Sequence, residues 1–386
     1  MSVPSASSVS DARKAALRSV QAQVYRFPVQ TPVHTSFGVM RERPALFVRI
    51  EDEDGAVGWG EVWCNFPDCG AEHRARLIDS VFAPLLAGRP LDSPVTVTDE
   101  LTERTAVLAI QSGEPGPIHQ CIAGLDIALW DLMARRAGQP LWRLLGGSRP
   151  AIGVYASGIN PAQPDETAAR CRAEGHRAFK LKVGFGEQRD LANLRAMRAE
   201  LGPDALLAAD ANQAWSLETA MQMAARMEPF DLAWLEEPLR ADRPWAEWQQ
   251  LAKATRIPLA AGENLAGHEQ FAEAIAKRVF RVMQPDAAKW GGLSHCLPVG
   301  RRIVEAGLRY CPHYLGGGIG LLASAHLLAA AGGDGLLEID SNPNPLRTLA
   351  CGPVADVRDG QVTLGETPGL GIGPDQQALR EFRVTH

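Results

Sequence analysis

The stretch Phe179-Lys-Leu-Lys-Val183 is the first of seven short apolar runs that carry charged or polar residues near their ends. Runs of this kind are typical of buried parallel strands. They recur roughly every 25 residues, which is the length of one strand, one loop and one helix. The other six runs are Leu206–Asn212, Leu232–Pro238, Pro258–Asn264, Arg281–Asp286, Tyr310–His313 and Leu336–Asp340. The spacing therefore predicts a β/α barrel.

In a β/α barrel the carboxyl ends of all strands face one mouth, so the polar residues of these runs would converge there. The charged or titratable residues concerned are Lys180, Lys182, Asp210, Glu236, Glu263, Asp286, His313 and Glu338. Burying this many charges is too costly unless they hold a metal ion or carry out a reaction. We therefore expect a catalytic or metal site at the mouth.

The chain has 386 residues, and a barrel of about 250 residues leaves room for a second, smaller domain. Its formal charge of -6 gives no basic surface for nucleic acid, so we expect a small-molecule partner. The seven cysteines are scattered and show no paired zinc spacing, which favours reduced thiols. No long apolar segment predicts a membrane span or an export signal, so a cytoplasmic location is expected.

The predicted organisation is a (β/α)7β barrel of the modified TIM type with an α+β capping domain at its N-terminal side. Residues 1–148 would form the capping domain, with 1–16 a disordered or helical lead-in, 149–345 the barrel, and 346–386 a tail that packs back on the capping domain. Strand patterns in the cap cover Val20–Phe27, Ala45–Glu51 and Val57–Val62, and helical periodicity covers Glu72–Leu86, Val97–Leu108 and Ile118–Ala137.

Two segments of the predicted cap, Gln30–Gly38 and Trp63–Gly70, fit no strand or helix pattern. They are either lids over the mouth or ordinary surface loops. Asp126 and Asp131 lie inside a strongly apolar helix and are expected to pair with arginines or cap neighbouring elements rather than to do chemistry.

The whole chain resembles the enolase superfamily, in its mandelate racemase branch. The motifs that carry the resemblance are Ala123-Gly-Leu-Asp-Ile-Ala-Leu-Trp-Asp131, Lys180-Leu-Lys182, Asp210-Ala-Asn212, Glu236-Glu-Pro238, Gly262-Glu263, Pro285-Asp286 and Pro312-His313. Each is weak alone, and their order at barrel spacing is specific. The tail segments His313–Gly320 and Glu338–Pro345 look most like acid-sugar enzymes, including galactarolactone cycloisomerases. The resemblance implies removal of a proton next to a carboxylate, and a homo-oligomer.

Asp210, Glu236 and Glu263 end three consecutive predicted strands, so their carboxylates can meet on one side of the mouth. Three hard oxygen ligands without His or Cys select Mg²⁺, with Mn²⁺ as the alternative. The other reading is a set of solvated strand-end charges. Glu237 follows Glu236 directly and should point the other way along a strand.

Lys180 and Lys182 are two residues apart and share one face of their strand. Crowding beside another ammonium and a metal lowers a lysine pKa, which gives a base usable near neutral pH. By resemblance Lys182 is this base and Lys180 contacts the substrate carboxylate. A pair of surface lysines is the alternative, which the apolar flanks disfavour.

On the opposite side His313 is predicted to be the second acid/base, with Asp286 holding its other ring nitrogen. Glu338, either ionised or protonated, would hydrogen-bond the substrate carboxylate oxygen that does not rest on the metal. Substrate contacts are expected from four further residues, and the Gly316–Gly320 run is expected to be a tight turn rather than a phosphate loop. The four residues are Asn212, His34, Phe37 and Trp63.

Two bases on opposite faces permit racemisation, dehydration or lactone isomerisation, and the bases alone do not separate these outcomes. The tail favours a hydroxylated, acid-sugar-like substrate and thus a dehydratase or cycloisomerase. The alternatives are a racemase or epimerase of an α-hydroxy acid and, from another class, a catalytically silent binding protein on the same fold.

Overall fold

The computed structural model describes residues 15–36 and 38–386, without the side chain of Thr31. Most of the predicted lead-in, residues 1–14, and Phe37 lie outside the described residues. An antiparallel sheet and helices at the N-terminal side stand against a parallel barrel. The N-terminal elements are β1 (Leu17–Thr35), β2 (Gly38–Asp52), β3 (Val57–Val62), α1 (Gly70–Leu77), α2 (Ala83–Leu86), α3 (Pro94–Ser112), α4 (Pro115–Arg136) and α5 (Leu141–Leu144). One π-helical turn, Ile78–Phe82, joins α1 to α2.

The three-strand meander of the cap is confirmed, but β1 and β2 are longer than their predicted lengths. The expectation that Gln30–Gly38 is a loop is wrong, because β1 continues to Thr35 and Thr35 pairs with Gly38. A register shift between Pro28 and Val33 separates the two parts of this hairpin. The sequence did not predict the second part because its side chains are mostly polar or exposed. No alternation of apolar residues marks this part as a strand.

Helix α4 packs directly on β3, and the approach is so close that β3 needs glycine. A Cβ atom at Gly60 would lie 2.0 Å from the carbonyl oxygen of Gly124. Asp131 of α4 accepts hydrogen bonds from the backbone N–H groups of Trp59 (2.8 Å) and Leu370 (2.7 Å) and pairs with Arg135 at 2.9 Å. The structural role predicted for this acid is confirmed.

Asp126 also has the predicted structural role. Its carboxylate accepts hydrogen bonds from the backbone N–H groups of Leu293 (2.6 Å) and Ser294 (3.1 Å) and from the Thr98 hydroxyl (2.7 Å). Leu293 and Ser294 lie in the first turn of a barrel helix, whose free N–H groups need acceptors. Asp126 thus ties the cap to the barrel.

The barrel has eight parallel strands with a helix after each of the first seven, so the predicted (β/α)7β fold is confirmed. Its strands are β4 (Ala151–Ile159), β5 (Ala178–Lys182), β6 (Leu206–Asp210), β7 (Leu235–Glu236), β8 (Leu259–Ala261), β9 (Phe280–Met283), β10 (Arg309–Tyr310) and β11 (Leu336–Asp340). Its helices are α6 (Pro164–Ala173), α7 (Glu187–Leu201), α8 (Leu217–Met227), α9 (Trp245–Ala254), α10 (His268–Lys277), α11 (Gly292–Glu305) and α12 (Gly318–Ala331). Hydrogen-bonded neighbours run from β10 through β9, β8, β7, β6, β5 and β4 to β11.

The C-terminal tail contacts both parts of the molecule. After the short helix α13 (Pro345–Thr348), β12 (Gln361–Thr363) pairs antiparallel with β4 of the barrel. The last strand, β13 (Arg383–Val384), pairs with β1 of the capping sheet. All seven cysteines lie within the described ranges, and none forms a disulfide. Among the described residues, no helix is both long and apolar enough to cross a membrane.

His326 of α12 gives the fold a pH-dependent stability. Its Nδ1 accepts a hydrogen bond from the Trp142 backbone N–H at 2.9 Å, and burial lowers its pKa to about 4. Below pH about 6.5 this histidine is protonated in the unfolded chain, whereas in the folded chain it stays neutral until the pH approaches 4. The stability of the fold therefore falls as the pH drops towards 4. Between pH 7 and 4.5 we expect His326 to account for a loss of roughly 2 to 3 kcal/mol.

His326→Gln provides the control, because a glutamine oxygen can accept the same hydrogen bond without titrating. Urea unfolding of both proteins at pH 7 and pH 4.5 measures the difference. The native protein should lose more stability than His326→Gln. Equal losses would show that His326 is not the titrating group.

Candidate active site

Lys180 lies at the centre of the barrel mouth and is almost fully buried. Its ammonium nitrogen is 2.5 Å from Glu236 Oε1, 2.8 Å from Glu338 Oε1 and 4.0 Å from Asp210 Oδ2. Burial alone would lower the pKa of Lys180, but the carboxylates of Glu236 and Glu338 raise it well above its usual value. The two carboxylates thus favour the charged form of Lys180, which joins β5 to β7 and β11.

Lys182, two residues further along β5, is as deeply buried but has a different electrostatic environment. Burial lowers its pKa below the usual value, and the cations of Lys180 and Arg43 add to this against the acids Asp210 and Asp340. The two lysines share a strand face as predicted, and only Lys182 is shifted towards the neutral, basic form. This difference is what a proton-abstracting base requires.

His313 and Asp286 form the predicted pair at the ends of β10 and β9. Asp286 Oδ2 is 2.7 Å from His313 Nδ1, and the other Asp286 oxygen accepts the backbone N–H of Ala288 at 2.8 Å. His313 Nε2 is 2.6 Å from Glu263 Oε2. Burial opposes protonation of His313, but Glu263, Glu338 and the hydrogen bond to Asp286 raise its pKa well above the usual value.

Glu338 of β11 lies between the two base systems. It accepts hydrogen bonds from the Ser157 hydroxyl at 2.5 Å and the Tyr314 backbone N–H at 3.1 Å. Burial alone would raise its pKa, but Lys180 and His313 lower it below the usual value. Lys180 and His313 thus favour the ionised form of Glu338 over the protonated form.

The three predicted metal ligands lie on neighbouring strand ends, and their electrostatics fit a cation. Burial raises the pKa of Glu236 to about 7, with repulsion from Asp210 adding to the shift, and burial and repulsion from Glu263 raise that of Asp210. This all-oxygen set carries more negative charge than Lys180 neutralises, and a hard divalent ion would relieve it. The three residues fit a magnesium ion in the chemistry of their oxygen atoms and in their location at the strand ends.

The ligands are not already gathered around one point. Within the described residues, no three His, Cys, Asp or Glu side chains are spaced to coordinate a single ion. The side-chain contacts give the reason, since Glu236 is drawn to Lys180 and Glu263 to His313. Glu237 is buried and accepts a hydrogen bond at 2.8 Å from Asn264, whose amide also donates to Glu263 at 2.9 Å.

The residues predicted to contact substrate lie around the mouth in different settings. The Asn212 side chain donates to Asp210 Oδ2 at 2.9 Å, and Ser36 of the β1–β2 turn donates to the Asn212 carbonyl at 2.5 Å, so this turn reaches the mouth. The Trp63 ring lies 4.9 Å from the Lys289 ammonium. His34 is exposed on β1, and Phe37 lies outside the described residues.

Two buried acids near the mouth were missed by the sequence reasoning. Asp340, at the end of β11, pairs with the buried Arg43 of β2 and is 3.6 Å from Arg347. Glu61 of β3 accepts the backbone N–H groups of Gly317 (2.6 Å) and Gly320 (2.8 Å). Glu61 thus occupies the N–H groups that a phosphate would need, so the glycine run is not an anion cradle. Its position after tryptophan and glycine in the third strand was the only available signal.

Comparison with known proteins accounts for most of the chain. Residues 164–378 match the family profile described as enolase C-terminal domain-like. Residues 19–146 match the N-terminal domain of mandelate racemase/muconate lactonizing enzymes. The chain belongs to the enolase superfamily, in its mandelate racemase branch.

Similar proteins cover nearly the whole length. D-galactarolactone cycloisomerase of Agrobacterium fabrum is 29% identical over 95% of this chain and 99% of the relative. The crystal structure of a mandelate racemase/muconate lactonizing enzyme from Bordetella bronchiseptica is 60% identical, with a TM-score of 0.90 over 95% of this chain and 99% of that one. A racemase from Streptomyces coelicolor with bound magnesium is 28% identical, with a TM-score of 0.85 over 95% and 100%. The similar proteins include cycloisomerases, dehydratases, racemases, an epimerase and o-succinylbenzoate synthases.

Proposed function

We propose that this protein is a magnesium-dependent enzyme that removes the proton next to a carboxylate and acts on a hydroxylated, acid-sugar-like acid as a dehydratase or cycloisomerase. The observation that carries the proposal is the pair of base systems at the mouth. Lys182 lies on β5 and the His313–Asp286 pair on β10 and β9, with Lys180 and Glu338 between them. A substrate held against Lys180 would expose opposite faces of its α-carbon to the two bases.

In this proposal Lys182 takes the α-proton, since it is the lysine whose pKa is shifted downward. Lys180, a fixed cation, donates to the substrate carboxylate and orients it. Asp286 keeps Nδ1 of His313 engaged, so Nε2 is the nitrogen that faces the mouth. Asp210, Glu236 and Glu263 would hold magnesium, which supplies positive charge for the carboxylate oxygens that become more negative on deprotonation.

The role of His313 depends on what leaves. If a β-hydroxyl leaves, His313 donates its proton to that oxygen and the product is a dehydrated acid. If the substrate is a lactone and its ring carboxylate is the leaving group, His313 stands beside that leaving group and the reaction is a cycloisomerisation. The similarity to the cycloisomerase of Agrobacterium fabrum supports an acid-sugar or lactone substrate.

A second candidate is racemisation or epimerisation of an α-hydroxy acid, with His313 returning a proton to carbon. The specific observation in its favour is that His313 Nε2 and Lys182 both lie at the mouth as independent proton carriers. The similarity to the magnesium-bound racemase of Streptomyces coelicolor supports the same candidate.

Proton NMR in deuterium oxide tests the proposal. With magnesium present, we expect solvent deuterium to enter the α-position, or product to form, for at least one member of a panel of acid sugars, their lactones and α-hydroxy acids. Removing magnesium with a chelator should abolish both, and adding it back should restore them, because the carboxylate dianion needs the ion's charge. Product identity separates dehydration, cycloisomerisation and racemisation.

The control is the double variant Lys182→Ala, His313→Asn, which lacks both proton carriers. Calorimetric titration with Mg²⁺ of the native protein and of Asp210→Asn is run in parallel, and the variant should bind at least about tenfold more weakly. Absence of exchange and turnover across the panel, together with absence of magnesium binding, would overturn the proposed function.

A further inference from the structure

The loop that follows His313 is held at every residue by a side chain. Tyr314 N–H donates to Glu338, the Leu315 carbonyl accepts from Asn65 at 2.5 Å, the Gly316 carbonyl accepts from Asn344 at 2.9 Å, and Gly317 N–H donates to Glu61. Glu61 and Asn65 belong to the N-terminal sheet side rather than to the barrel, and Glu61 is almost fully buried. The cap therefore fixes two of the four anchor points.

The loop after Asp286 is anchored from the same side. Asp126 of α4 accepts the first N–H groups of α11, the helix that begins after this loop. Glu61 does the same for α12, the helix that begins after the His313 loop. Both members of the His313–Asp286 pair are thus followed by a helix whose N-terminus is capped by a buried acid from the cap.

The lysine side of the mouth is built differently. The loop after Lys182 is held by Asp190 of α7, which accepts the N–H groups of Gly184 (2.9 Å) and Phe185 (3.2 Å). The next helix, α8, is capped by its own Ser216, which accepts the Thr219 N–H at 3.2 Å. These anchors are local and lie within the barrel.

We propose that Glu61, assisted by Asn65, is a positioning residue for His313, so that the cap sets the geometry of the loop that carries His313, whereas the loop after Lys182 is held by Asp190 of the barrel. The inference rests on the proposed function. Its physical basis is that a proton-transfer group displaced by about 1 Å can lose on the order of 100-fold in rate. The Glu61 carboxylate acts through two backbone N–H groups and touches no reacting atom.

Glu61→Gln tests this inference. The glutamine keeps one acceptor oxygen but turns an NH₂ group towards a backbone N–H, so one anchor is lost. Exchange of the substrate α-proton requires Lys182, whereas product formation also requires His313. We expect the ratio of product formation to exchange to fall roughly tenfold or more in Glu61→Gln, with exchange itself within about twofold of the native rate.

The matched control is Asp131→Asn, which removes charge from another buried acid that accepts two backbone N–H groups but lies beside no catalytic loop. It should lower stability without changing the ratio. Asn65→Ala is the second variant if Glu61→Gln does not fold, and it should shift the ratio in the same direction by a smaller factor. A loss of exchange equal to the loss of product formation in Glu61→Gln would overturn the inference.

A readout independent of activity separates this inference from the proposed function. The proton on His313 Nδ1, hydrogen-bonded to Asp286, should give a downfield NMR resonance in the native protein and in Asp131→Asn. In Glu61→Gln we expect this resonance to shift or to be lost through exchange with solvent. A native protein without turnover refutes the proposed function alone, and an unchanged resonance in Glu61→Gln refutes the positioning role.

Discussion

Lys182→Ala is expected to abolish α-proton exchange and to lower turnover by roughly 10²- to 10⁴-fold, the contribution typical of a positioned general base. Lys182 is the buried cation at the mouth whose pKa is lowered, while the neighbouring Lys180 is held as a cation by two carboxylates. Lys180 is therefore less suited than Lys182 to act as the base. Exchange is measured by NMR in deuterium oxide, and turnover by product formation.

Two controls separate lost chemistry from lost structure. Lys253→Ala removes a lysine from the last turn of α9, away from the mouth, and should leave exchange unchanged. Magnesium affinity of Lys182→Ala, measured by calorimetry, should stay close to the native value, because the predicted ligands are intact. Substantial exchange in Lys182→Ala would assign the base to another residue.

Much of the site was predictable because parallel strands place their carboxyl ends at one mouth. Spacing alone placed the acids and lysines that end apolar runs at the barrel mouth. The structure brings four of them together there, namely Lys180, Asp210, Glu236 and Glu338. The spacing located seven of the eight barrel strands, β5 to β11, and did not include β4. Pattern reasoning works for these strands because each is short and largely buried, and all but the last are followed by a helix of 10 to 15 residues.

Three features could not be read from spacing, each for a physical reason. The second part of the β1–β2 hairpin is stabilised by backbone pairing, which leaves no apolar period in the sequence. The ionised state of Glu338 depends on its distances to Lys180 and His313, which only the folded chain defines. Glu61 meets the His313 loop across about 250 residues of sequence, and no local pattern reports such a contact.

The distribution of charge explains why the predicted metal ligands are separated in this structure. A buried carboxylate needs a positive partner: Glu236 contacts Lys180, and Glu263 contacts His313 and lies 3.7 Å from Lys289. The sequence predicts the metal ligands by residue type, whereas these ion pairs are defined only by the folded chain.

His313→Asn is expected to separate the two halves of the reaction, since asparagine keeps a hydrogen bond to Asp286 but cannot carry a proton. Exchange catalysed by Lys182 should persist within about tenfold of the native rate, while product formation should fall roughly 10²- to 10⁴-fold. The comparison is made on one substrate, with exchange and product followed in the same NMR sample. His386→Asn is the control, because His386 lies near the chain end and pairs with Asp79 of the π-helical turn, and product formation should then stay close to the native rate. If His313→Asn lost exchange and product formation equally, His313 would be needed for the first proton abstraction, and the assignment of the two faces would have to be reversed. Retention of product formation would instead show that a group other than His313 serves the far face.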